Sequence, residues 1–146
     1  MYYGEFVHAV DAKNRIRIPT RFKLPQGEDY VFTVLRDGVI SVYSSAIIDK
    51  KFAPLTTISP FDDDIEIAAD SFSNFFPANE DGQGRVMIPE AIRRQVETGK
   101  EVVTVGMGDH IDIMTPERRE KIRAAARTPE ARKKLNALFN RVNNGN

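Results

Sequence analysis

The sequence predicts an α+β protein built from two pseudo-symmetric copies of one small β-rich unit, and three observations carry that reading. Asp11-Ala12-Lys13-Asn14-Arg15-Ile16-Arg17-Ile18-Pro19 returns as Asp81-Gly82-Gln83-Gly84-Arg85-Val86-Met87-Ile88-Pro89, 70 positions later. Short β-branched and alternating runs flank both copies. Helix-start signals cluster between the copies and again near the C-terminus. An internal repeat sets the architecture before any local inference.

Residues 5–10 suit a first strand. Residues 11–14 form a tight turn, since Asn14 tolerates the left-handed backbone region and Gly82 and Gly84 give the second copy the same freedom. Residues 15–18 alternate strictly, which predicts a strand with one basic face. Pro19 then ends the ladder or opens a helix with Phe22 inward. In the second copy, Pro89 followed by Glu90 places a proline and an acid in a first helical turn, where the unsatisfied amides favour them.

A hairpin follows, residues 30–35 and 39–43 around Arg36-Asp37-Gly38. Its repeat is residues 101–105 and 110–114 around Gly106-Met107-Gly108-Asp109, offset by 71, so one residue has been inserted. Each copy thus reads strand, turn, strand, short helix, strand, strand. The connector predicts two helices, residues 45–52 and one starting near Ser59-Pro60, with Phe61, Ile65, Ala68, Phe72 and Phe75 at helical spacing as a core stripe. Thr115-Pro116-Glu117 and Thr128-Pro129-Glu130 repeat one cap signal and predict two C-terminal helices. Leu135, Leu138 and Val142 share a face of the second, and the last four residues are expected to fray. The boundaries are 1–53 for the first repeat, 54–76 for the connector, 77–122 for the second repeat, and 123–146 for the C-terminal helix and tail.

At 146 residues the chain can build one ordinary core, but each repeat alone buries too little, so the two should share a core or oligomerise. There are no cysteines, which removes disulfides, thiol catalysis and thiolate metal sites. No apolar run approaches the roughly 20 residues that span a bilayer, and the N-terminus lacks the pattern of a signal peptide. A cytoplasmic protein without membrane association is expected.

Net charge is zero, but its distribution is not uniform. Lys13, Arg15, Arg17, Arg21 and Lys23 lie close together, residues 60–84 are acidic, and residues 115–146 are basic again. A local basic run is what a nucleic acid surface reads. Asp11 and Arg15, and likewise Asp81 and Arg85, can pair across the tight turn while the carboxylate accepts turn amides. On that reading Asp11, Asn14, Asp81 and Gly84 organise the loops. Lys13, Arg15, Arg17 and Arg85 are the candidate DNA contacts, able to reach phosphates or a guanine edge. The competing reading is that the Asp-Arg pairs only brace the turns. Enzyme readings are weak. His110 and Asp112 share a strand parity but read as a solvated face, Gly106-Met107-Gly108 reads as a turn, and Asp62-Asp63-Asp64 lacks the spacing of a cation loop and reads as a helix start. No catalytic residue, metal site or cofactor is expected.

The two linked motifs, with Gly4-Glu5 upstream, Glu101-Val102-Val103 through Ile113, and Pro116-Glu117-Arg118, resemble the MraZ family over roughly residues 1–120. The resemblance implies two AbrB-like swapped-hairpin β-barrel modules, assembly into a ring, and a nucleoid-associated transcription factor. Such proteins bind promoter direct repeats through Asp-x-x-x-Arg loops and typically repress the division and cell-wall gene cluster. Position by position, Lys13 and Arg15 become the leading contacts and Arg85 the matching one. The chain departs from the pattern in carrying Asn14 for glycine, no tryptophan and an acidic connector. AbrB-like modules also occur as antitoxins, so a protein-interaction module is the alternative.

Overall fold

A computed structural model describes residues 1–145; Asn146, part of the tail expected to fray, lies outside the described residues. The chain divides into two compact units, Met1–Thr115 and a helical unit from Pro116 onward. The first is mixed α and β with antiparallel sheets. Its strands are β1 (Glu5–Ala9), β2 (Arg15–Arg17), β3 (Tyr30–Arg36), β4 (Val39–Ser44), β5 (Phe76–Ala78), β6 (Arg85–Met87), β7 (Glu101–Gly106) and β8 (Ile111–Met114). Its helices are α1 (Ser45–Phe52), α2 (Ile65–Ser73) and α3 (Glu90–Gln95). Thr20–Phe22 and Ala53–Thr57 are 3-10 turns.

The strands pair across the repeats. One six-stranded sheet runs β1-β7-β8-β4-β3-β5, and β2 pairs with β6 in a separate two-stranded ribbon. The first strand of each repeat therefore lies against the hairpin of the other: β1 on β7, and β5 on β3. The hairpins meet at β4–β8, with Ser41 opposite Asp112. The ribbon pairs Ile16 with Val86, flanked by Arg15 opposite Met87 and Arg17 opposite Arg85. Because the equivalent residues Ile16 and Val86 face each other, a local pseudo-dyad passes through the ribbon.

A shared core follows. Ile16, Ile18, Phe22 and Ile40 from the first repeat and Val86, Ile88, Ile92 and Ile113 from the second are almost fully buried in one cluster. Each such side chain contributes roughly 1.5–3 kcal/mol relative to exposure. Residues 11–20 and 81–90 have the same burial class at every position, so the sequence repeat is also a repeat of environment.

Two expectations are corrected. The connector stripe is a core face only in part: Ala68 is buried and Phe75 packs against Val31, Tyr43 and Ile48, but Phe61 is 92% exposed and Phe72 39%. The reason is that the helix starts at Ile65 rather than near Pro60. Residues 61–64 are instead a turn in which Asp62 Oδ1 accepts the Asp64 amide at 2.8 Å, so Phe61 is off the periodic face. His110 and Asp112 are not a solvated face either. Asp112 is fully buried and meets Arg36 Nη2 and Ser41 Oγ at 2.7 Å and His110 Nε2 at 3.1 Å, while the His110 ring stacks on Tyr43. Asp112 stands opposite Ser41 where the two hairpins join, which removes it from water.

The helical unit contains α4 (Pro116–Ala126) and α5 (Pro129–Asn143). Thr128 caps α5, its hydroxyl accepting the Ala131 amide at 3.1 Å. Leu135, Leu138, Phe139 and Val142 are exposed on α5. No helix among the described residues is long and apolar enough to cross a membrane.

Candidate nucleic-acid interface

The two loops are built alike, atom for atom. In the first, Asp11 Oδ1 accepts the amides of Lys13 and Arg15, each at 2.9 Å, and Oδ2 accepts Arg15 Nε at 2.8 Å. In the second, Asp81 Oδ1 accepts the amides of Gln83 at 2.8 Å and Arg85 at 3.0 Å, and Oδ2 accepts Arg85 Nε at 2.9 Å. Backbone bonds close both turns: Asn14 N donates to Asp11 O and Gly84 N to Asp81 O. The fourth loop position needs a left-handed backbone, with φ 60° at Asn14 and 76° at Gly84. Asparagine and glycine are the residues that adopt it at least cost.

A carboxylate that accepts two amides and a guanidinium is strongly favoured in its charged form. The Arg15 amide, then its guanidinium and the Lys13 amide, hold Asp11 below the ordinary carboxylate range against a partial loss of solvation. The amides of Arg85 and Gln83 and the Arg85 guanidinium do the same for Asp81. Both carboxylates are thus charged at neutral pH and accept the turn amides.

The pseudo-dyad brings the loops side by side. Arg15 Nη1 lies 3.9 Å from Asp81 Oδ2, Ile88 N donates to Asn14 O, and Ile18 N donates to Gly84 O. Ile16 and Val86 point into the core, so the opposite face of the ribbon presents Arg15, Arg17, Arg85 and Met87. Arg15 and Arg85 are about three-quarters covered and held by their aspartates, whereas Lys13 and Arg17 are exposed. All eight loop and contact residues named from the sequence therefore gather on one surface. Within it the two arginines brace their turns and remain about one-quarter exposed.

Two residues that sequence reasoning did not select also belong here. Lys23 pairs with Glu80 at 3.7 Å, and its ammonium lies 3.0 Å from where a Cβ on Gly84 would stand. Arg17 Nη1 donates to the carbonyl of Gln83, at the tip of the second loop. Lys23 was visible only as part of the basic run. Gln83 is aligned with Lys13 by the offset of 70, but an uncharged side chain was not selected as a contact.

Residues 72–141 match the family model described as "MraZ protein, putative antitoxin-like". The chain is 31% identical over 112 residues to the transcriptional regulator MraZ of Mycoplasmopsis pulmonis, covering 76% of each chain. It is 33% identical over 128 residues to that of Clostridium acetobutylicum, covering 81% of this chain and 84% of the relative. With that of Lactiplantibacillus plantarum it shares 36% over 121 residues, covering 77% and 81%. At this identity and coverage, the chain belongs to the MraZ family of transcriptional regulators.

Proposed function

We propose that this chain is a sequence-specific double-stranded-DNA-binding regulator and that the β2–β6 ribbon with its two Asp-x-x-x-Arg loops is the reading surface. The observation that carries the proposal is the clustering of Lys13, Arg15, Arg17, Lys23 and Arg85 on one face, around a ribbon whose other face is core. A two-stranded ribbon fits the major groove of B-DNA. The cations supply phosphate contacts, and the aspartates fix the loops before binding, so little ordering cost remains. Zero net charge is no obstacle, because only this face need be basic.

In this reading the copies are residues 1–53 and 77–122, joined by residues 54–76 and followed by residues 123–146. They are AbrB-like modules with exchanged hairpins, which the pairing of β1 with β7 and β5 with β3 supports. The target is the promoter of the division and cell-wall cluster, the effect repression, and the location the cytoplasm and nucleoid. A ring of subunits would set identical loops beside successive direct repeats, and effective concentration would turn weak single contacts into firm binding. The relatives are named as transcriptional regulators, a function that is not enzymatic.

The deciding experiment is binding to a labelled fragment of the chain's own upstream promoter under excess competitor, wild type beside Arg15→Ala. Specific retention of the wild type alone supports the reading. Equal failure of two well-folded proteins removes it. A second reading, an antitoxin-like interaction module, draws on the family description and on the exposed apolar residues of α5. Its mark is a small stoichiometric protein that co-purifies.

A further inference from the structure

The two loop tips share one backbone and carry different chemistry. Asp11 holds the amide of Lys13, and Asp81 holds the amide of Gln83, at 2.9 and 2.8 Å. The two side chains therefore leave equivalent places on either side of the pseudo-dyad, both exposed. One is an ammonium, with three donors and no acceptor. The other is a carboxamide, with two donors and one acceptor.

The surroundings deepen the difference. Arg17 donates to the Gln83 carbonyl, and Lys23 lies against Gly84. Thus two cations from the first repeat flank the second tip. The residue equivalent to Arg17 in the second repeat is Met87, which has no donor for the Lys13 carbonyl. Arg93, equivalent to Lys23, directs its Nε to the Ile88 carbonyl at 3.0 Å. The first tip carries its own charge, while the second has charge beside it and a neutral amide at its apex.

These differences have distinct consequences on DNA. An ammonium meets phosphate or the acceptor edge of guanine. A carboxamide matches the donor and acceptor pair of adenine, N6 and N7, in the major groove. Resting on the DNA-binding reading above, we infer that Gln83 is a specificity-determining residue that reads an adenine on one side of the site, while Lys13 reads phosphate or guanine on the other. A surface that is two-fold in its backbone thereby has chemically distinct halves, with the adenine contact on the Gln83 side.

Selection from random-sequence duplex DNA tests this, using wild type, Gln83→Ala and Gln83→Lys. The side chain is exposed, and the carboxylate that orders the loop holds the main chain at this position, so the variants are expected to fold. Thermal melts and retained affinity for unselected duplex DNA check that. The wild type is expected to select a site with one A·T pair required on one side. Gln83→Ala should keep the rest of the site and lose discrimination at that pair by roughly 5- to 150-fold. Gln83→Lys should make the two halves more alike. A wild-type site with no required A·T pair, or an unchanged preference in Gln83→Ala, overturns the inference and leaves the DNA-binding reading standing. A folded wild type that selects no sequence overturns both.

Discussion

Replacing Lys13 by alanine removes a cation that stands at the tip of the first loop and has no ion pair among the described residues. The loop itself should survive, because Asp11 holds the backbone amide of residue 13 and not its side chain. Each phosphate neutralised on B-DNA contributes about 0.9 to the slope of log affinity against log salt. Loss of Lys13 should therefore flatten that slope by about 0.9 for every chain engaged. Between 50 and 200 mM salt, a fourfold rise, the advantage of the wild type should shrink by about 3.5-fold per engaged chain, since 4 raised to the power 0.9 is about 3.5. Titrations of one duplex with both proteins at four or five salt concentrations measure it. Parallel lines for the two proteins would refute the phosphate role of Lys13. A collapse of thermal stability in the variant would refute the separation of tip from loop framework.

Three further outcomes are expected from the geometry. Gly106→Ala should destabilise the fold by about 2–4 kcal/mol. A Cβ there would stand 2.4 Å from Tyr3 N, and displacing that segment breaks three backbone bonds among Tyr2, Gly4, Gly106 and Gly108, each worth roughly 1 kcal/mol; denaturant midpoints measure the loss, and an unchanged midpoint contradicts the packing. Asn14→Ala should cost about 1 kcal/mol through its left-handed backbone, while Asn14→Gly should change stability by less than about 1 kcal/mol; equal effects in unfolding assays would deny that the backbone selects the residue. For His110, burial lowers the pKa, but hydrogen bonds to Asp112 and Asp109 outweigh it and leave the ring raised above its ordinary value. A raised folded value means that the ring's contribution is fully present below about pH 6.5 and is lost as pH rises through the folded value. Unfolding curves from pH 5 to 9 should show wild type converging toward His110→Gln at the alkaline end, and a constant gap would be the contrary result.

Much of the site was legible because it is local. The offset of 70 between Asp11 and Asp81 identified the two loops. The need for a left-handed residue explained Asn14 and Gly84, and the alternation of Arg15, Ile16 and Arg17 gave one basic and one buried face. The connector failed for a reason that periodicity cannot supply. Phe61, Ile65, Ala68, Phe72 and Phe75 have the spacing of a buried stripe, but the turn set by Asp62 delays the helix to Ile65 and leaves Phe61 exposed, while Ala68 and Phe75 do pack inward. Asp112 was misread because alternation reports which side of a strand a residue occupies, not what covers that side.

By itself, then, the sequence determined the repeat, the chemistry of each loop and the order of strands and short helices within each copy. Those follow from side chains acting on their own backbone over four or five residues. Only the tertiary structure decided that the first strand of each copy pairs with the hairpin of the other, that Arg17 and Lys23 of the first repeat flank the loop of the second, and that Arg36, Ser41 and His110 enclose Asp112. These depend on contacts between residues tens of positions apart. Nothing in the local pattern distinguishes a hairpin packed on its own first strand from one packed on its neighbour's, because both bury the same faces. The two halves share one core, since each alone is too small to bury what Ile16, Val86 and their neighbours require.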